Sequence, residues 1–280
     1  MEKLFAVFGM ASNAFKDTLY KAVARQDGGS RILLFYGLEA AFIAALSLPI
    51  VLLVLREPLL HPASLVFALP LAALASLGYL ASLSSLVAGD ASTNVTIIRM
   101  NFVLTSAFAV LFRGEALTLR KIAGTALCLL AVLLFYLGSR SRGASHRRLG
   151  LSVLASFTLA GLNILNKTAL GMGASVTHLV LYRYALIAGF CAIVLAARRQ
   201  LTLPSPRLAA VAGACAVLMM VSSYCVLTAL RTGDLTLVIP ITQASFLFTA
   251  VLSFLFLGER LDWGKAAGLA AAVAGLIVIR

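Results

Sequence analysis

Acidic side chains are scarce in this chain of 280 residues: ten Asp and Glu stand against 23 Lys and Arg. Charge of either sign makes up only 12% of the sequence, about half the share of an average soluble domain. The three histidines are scattered and no HExxH pair occurs, so no zinc site is expected; no Gly-rich loop ending in Lys-Ser or Lys-Thr occurs either, which excludes a Walker-type ATP motor. The four cysteines, Cys128, Cys191, Cys215 and Cys225, all fall inside apolar runs. They read as small buried hydrophobes and not as a disulfide framework. An intramembrane aspartyl protease needs two acids within its spans. Gly89-Asp90 and Gly233-Asp234 resemble such a pair, but both fall in short connectors and read as turn residues. No catalytic residues, cofactor or metal are therefore expected.

What is abundant is apolar surface, at 61% of the residues. A soluble core of this length cannot bury so much, so the solvent is lipid. A bilayer-spanning helix needs about 20 mostly apolar residues. Runs of that kind cover 3–23, 31–55, 63–88, 92–112, 118–138, 149–170, 175–197, 206–230, 235–257 and 262–279. The first run carries Asn13, Lys16 and Asp17, which suits a retained helix better than a cleavable signal core. The net charge of +13 does not point to nucleic acid. The bases cluster in connectors, as at Arg113, Arg120 and Lys121, or at Arg140 to Arg148, where Lys and Arg set orientation and meet anionic headgroups.

The chain repeats itself. LFRGEALTLRKIAGTALCLLAVLLF begins at Leu111, and LFLGERLDWGKAAGLAAAVAGLIVI begins at Leu255, with 9 of the 25 aligned positions identical. At the same offset Gly89-Asp90 meets Gly233-Asp234, Phe102 meets Phe246 and Thr105 meets Thr249; with a slightly different offset Asn13 meets Asn163 and Tyr36 meets Tyr182. Two homologous halves follow, 1–139 and 149–280, each with five expected spans. An odd number of spans sends the second half into the membrane from the opposite side. The expected fold is thus an all-α integral membrane protein of ten transmembrane helices, arranged as two inverted five-helix repeats, an architecture common among secondary transporters. Duplication that merely enlarged a bundle is the plainer alternative.

The two repeated stretches resemble the signature of the EamA-like family of the drug/metabolite transporter superfamily. A helix ends in Phe256-Leu257-Gly258-Glu259-Arg260-Leu261, and more loosely in Phe112-Arg113-Gly114-Glu115-Ala116-Leu117, before a helix rich in small residues. Arg113 stands where that family prefers an apolar residue. The resemblance implies a transporter with one five-helix unit per half and both termini in the cytoplasm, in the inner membrane of a bacterium. The distribution of Lys and Arg, dominated by the 140–148 connector, opposes that orientation. Physically, Glu115 and Glu259 lie at the membrane edge near Lys121 and Lys265 and read as structural. Gly124, Gly264, Gly268 and Gly275 offer small surfaces for close helix packing.

Ionisable residues inside spans are costly and mark functional sites by default. Asn13, Lys16 and Asp17 share one helix face, and so do Asn163, Asn166 and Lys167 at equivalent places in the second half. These six, with Arg99, its repeat partner Gln243, and Arg183, form the expected substrate-binding set. Lys16, Asp17 and Lys167 have a second reading, as interfacial charges snorkelling from helix ends. Asp17 and Glu39 are the acids suited to proton coupling, and either could instead neutralise Arg99 or Lys16. Pro240 bends its helix, either to open a cavity or as a static kink. Four bases (Lys16, Arg99, Lys167, Arg183) against two acids favour solutes bearing a carboxylate or phosphate. The expectation is alternating-access transport, with export the expected direction, of a small polar metabolite such as an amino acid or organic anion. Its partners are that solute, the lipid bilayer and protons, with the protein a monomer or homodimer. A lipid-handling or accessory membrane protein is the alternative.

Overall fold

The computed structural model describes residues 1–27, 31–87, 97–116, 118–138, 146–245, 248 and 263–279. Among them there is no strand. The helices, in chain order, are α1 (Glu2–Asp27), α2 (Ile32–Pro49), α3 (Pro62–Val87), α4 (Asn101–Arg113) and α5 (Leu119–Gly138), then α6 (His146–Gly171), α7 (Val176–Ala197), α8 (Pro206–Thr232), α9 (Leu235–Gln243) and α10 (Trp263–Ile279). The spans expected over 92–112 and 235–257 lie partly outside the described residues. Among the described residues, five segments are long and apolar enough to cross a membrane: Ile32–Val54, Pro62–Ser85, Gly150–Gly171, Val176–Ala197 and Pro206–Thr232.

Local chemistry sets the helix ends. Ser205 accepts a hydrogen bond from Leu208 N at 3.3 Å, and Pro206 fills the first helical position, where its missing N–H costs nothing. Beyond Pro49, α2 runs on through a widened turn, Ile50–Val54, in which Leu55 N–H reaches Ile50 O, five residues back, at 2.9 Å. α4 stops at Gly114, whose φ of 64° is the left-handed conformation glycine adopts without strain.

The lipid-type solvent is visible in what faces out. Val66, Leu69 and Ile193 are each about 70% exposed, whereas Asn101, Thr105, Ser152 and Ser222 are buried. Apolar side chains stand outside and hydroxyls and amides inside, which suits a protein whose surroundings offer no hydrogen bonds. The interior is closely packed. A Cβ on Gly37 would lie 2.8 Å from Cys191 Cβ, and one on Gly275 would lie 3.0 Å from Gly124 O.

The pairing of helices follows the repeat. α1 packs on α8 and α6 on α3; α1 packs on α9 and α6 on α4; α2 packs on α8 and α7 on α3. The remaining principal pairs, α2–α7, α4–α9 and α5–α10, join counterparts. Exchanging each helix for its counterpart leaves this set unchanged. The α2–α7 pair is antiparallel: Gly37 abuts Cys191, while Pro58 O accepts from His178 Nε2 at 2.8 Å. The α4–α9 pair is antiparallel too, with Arg99 on Gln243 at one end and Glu115 on Leu235 at the other.

The Gly37 contact generates a test. Gly37→Ala places a methyl group against a backbone-anchored carbon and is expected to destabilise by about 1–3 kcal/mol. Gly189→Ala, where nothing lies within 4 Å of the new carbon, is expected to be neutral. Thermal unfolding in detergent compares them; equal melting temperatures for the two variants contradict the packing described.

Candidate functional site

A cavity opens between α1, α3, the residues just before α4, α6, α7, α8 and α9 and encloses about 1040 Å³ of empty space, its mouth included. It collects eight of the nine residues expected to bind substrate: Asn13, Lys16, Asp17, Arg99, Asn163, Asn166, Arg183 and Gln243.

The stripe on α1 delivers three of them. Asn13, Lys16 and Asp17 lie within four positions, so they project from one face. Lys16 is buried, with Nζ 3.3 Å from Asn13 Oδ1 and 3.8 Å from Asp17 Oδ1. The same nitrogen lies 5.2 Å from the Tyr20 ring centre and 5.3 Å from that of Tyr79, so two aromatic faces share its charge. Asp17 also pairs with Arg99 Nη2, while Arg99 Nη1 donates to Gln243 Oε1 at 2.8 Å. The repeat partners Arg99 and Gln243 therefore touch. One carboxylate serves two cations. Arg183 is arranged differently: its Nη2 donates to Ser223 Oγ at 3.4 Å, its guanidinium carbon lies 4.8 Å from the centre of the Tyr184 ring, and its Nε has no partner. The second-half stripe supplies Asn163, which donates to Asn101 Oδ1 at 3.5 Å, and Asn166, whose Oδ1 is buried without a partner.

Two expected residues stand elsewhere. Lys167 does not line the cavity. Its Nζ donates to Leu230 O at 2.7 Å and Gly233 O at 2.9 Å, at the end of α8, where carbonyls lack helical partners and carry partial negative charge. Glu39 is also absent from the lining. Buried on α2, it accepts from Tyr20 Oη at 2.6 Å to each carboxylate oxygen, so Tyr20 stands between it and the cavity. Among the described residues the lining thus holds three bases and one acid, and the expected surplus of positive charge persists there with fewer groups.

Tyr20, Tyr79, Met219, Ser222 and Ser223 also line the cavity, and sequence reading passed over them. Tyr20 carried a usable signal, lying one turn beyond Lys16 on the polar face. The adjacent hydroxyls Ser222 and Ser223 within an apolar run were another.

Beside the cavity, the first Gly-Glu turn acts structurally. Glu115 accepts from Leu235 N at 2.9 Å, Thr236 N at 3.0 Å and Thr236 Oγ1 at 2.7 Å. A carboxylate from one half thereby caps the start of a helix in the other, where unpaired N–H groups and the helix dipole favour an anion. Lys121 Nζ donates to Asp234 Oδ2 at 2.7 Å across the same junction, with Asp234 in the connector expected for it. Glu259 and Asp90 lie outside the described residues.

Apolar helices wrapped around an internal cavity of charged and amide side chains define an integral membrane protein with a place for a polar solute. The match is specific: the sequence pattern of the EamA-like transporter family covers residues 3–137 and again 148–280, and the chain belongs to that family. It is accordingly a membrane transporter of the drug/metabolite transporter superfamily, whose members are transporters and not enzymes. A solved structure described only as "Crystal structure of protein" is similar over 99% of this chain and 98% of its own, with a TM-score of 0.81 at 14% identity, which shows the fold alone. No curated protein matches the chain.

Two substitutions test the geometry. Asp17→Asn leaves Arg99 and Lys16 without their shared counter-charge and is expected to cost about 1.5–3 kcal/mol, the range for charge-assisted contacts, since the Arg99 pair is partly buried. A melting temperature unchanged from wild type in detergent would refute the shared pairing. Glu115→Ala is expected to cost about 1–2 kcal/mol through the lost cap, with Glu115→Gln recovering part of it. Denaturant unfolding in micelles reads the order, and an alanine variant as stable as wild type removes Glu115 from this role.

Proposed function

We propose that the protein is a ten-span secondary transporter of a small polar metabolite, an amino acid or organic anion, working by alternating access. The observation that carries the reading is the cavity between the halves, lined by charged side chains that apolar helices bury only at a cost. The antiparallel α2–α7 and α4–α9 pairs support an inverted repeat. A twofold axis that exchanges two antiparallel helices crosses them, so it lies in the membrane plane when they span the bilayer. Two such halves offer conformations of similar energy, each opening the shared cavity to one face.

The cavity's surplus of bases supports an anionic or zwitterionic solute. Glu39, held by a tyrosine that lines the cavity, and Asp17, shared between two cations, are the groups placed to exchange protons with it. Both termini in the cytoplasm, a bacterial inner membrane and outward movement belong to the same proposal.

Purified protein in liposomes, loaded with or exposed to a radiolabelled metabolite library, tests this. Accumulation or release of at least one amino acid or organic anion above protein-free liposomes is expected, and a proton gradient is expected to change its rate. A protein that moves no soluble member but redistributes labelled lipid would favour a lipid-handling role instead.

A further inference from the structure

The three cations lining the cavity are not equivalent. Asp17, the one acid in the lining among the described residues, serves Arg99 and Lys16. Gln243 takes another N–H of Arg99, and two tyrosine rings flank Lys16. Both charges are thus answered within the protein. Arg183 is not. It is 96% buried, since 4% of its surface is exposed. Among the described residues it has no acidic partner, its hydrogen bond to Ser223 is long, and its Nε, like that of Arg99, is unpartnered.

A buried charge is ordinarily paired. A guanidinium presents N–H groups in a planar fork that matches the two oxygens of a carboxylate. Arg183 is held for such an encounter, with its guanidinium on the Tyr184 ring and Ser223 anchored in turn by the Tyr184 hydroxyl at 3.3 Å. Arg99 by contrast bridges α1 and α9, with Nη2 engaged by Asp17 and Nη1 by Gln243, and only Nε unpartnered. Leu83, Leu162, Val226 and Leu227 supply an apolar wall, and Asn166 Oδ1 is an open acceptor.

We infer that Arg183 is the specificity-determining residue of the transporter: it receives the carboxylate of a small monocarboxylate with a short apolar body, while Arg99 is a structural clasp. This rests on the transport reading above and narrows its substrate class.

The probes are matched triads on one apolar body. Leucine is compared with 4-methylpentanoate, which lacks the ammonium group, and with 3-methylbutylamine, which lacks the carboxylate; valine and phenylalanine give two further triads. Binding to purified wild type, Arg183→Leu, Arg183→Lys and Arg99→Lys is measured in nanodiscs, with monodispersity checked for each. Wild type is expected to bind acids over the matching amines. Arg183→Leu is expected to weaken acid binding by about 10- to 100-fold, the loss of a charge-assisted contact, and Arg183→Lys by less. Arg99→Lys is expected to weaken acid binding less than Arg183→Lys does, because the charge facing Asp17 remains. If Arg183→Leu does not fold, Arg183→Lys decides, and unchanged acid affinity there overturns the inference. Amines bound as well as acids, or acid affinity lost only in Arg99→Lys, overturn it as well. If no triad member binds wild type while the liposome library shows another solute moved, the inference fails and the transport reading stands. If nothing binds and nothing moves, both fail.

Discussion

The structure depends on how charge is held where water is absent. An isolated ion in a low-dielectric interior is costly, and an attraction repays that cost only with good geometry. Asp17 meets the requirement for two cations at once. It ties α1 to Arg99, just ahead of α4, and Arg99 in turn donates to Gln243 of α9, so the arginine held by this carboxylate joins the two halves at the cavity wall. Tyr20 extends the network from the other side by holding Glu39 of α2. Around Asp17 the cavity is therefore bounded by groups that cannot turn to lipid and that answer one another's charge.

The pairing of helices explains why such a site arises between two similar halves. Counterparts pack on counterparts at α2–α7, α4–α9 and α5–α10, so residues that correspond in the repeat are brought face to face. Arg99 and Gln243 are the clearest case. They are 144 residues apart, occupy equivalent places, and touch. Their difference in chemistry is what makes the contact work, because two arginines there would repel.

Much of this was legible in the sequence. The repeat offset paired Arg99 with Gln243 and Asn13 with Asn163, and all four line the cavity. Polar residues in apolar runs announce themselves because lipid tolerates them poorly. Other parts were hidden for physical reasons. Lys167 shares a face with Asn163 and Asn166 and also lies near the end of its span, and the carbonyls that its long flexible side chain reaches there are not revealed by sequence spacing. Tyr20 and Met219 went unnoticed, since lipid and protein interior are both apolar and periodicity does not tell which face is which. The Gly-Glu turn was readable as structural, but not that it completes a helix of the opposite half.

That last feature bears on biogenesis. Glu115 emerges from the ribosome 120 residues ahead of the amide it caps. At synthesis rates of about 5–20 residues per second, the carboxylate waits on the order of ten seconds for its partner. During that interval the first half sits in the membrane with an anion at its edge and no helix start to receive it. Completion of the fold is thus tied to the arrival of α9, late in synthesis. A chain truncated before Leu235 carries a visible mark of incompleteness, an unanswered charge at the bilayer surface, on which quality control could act.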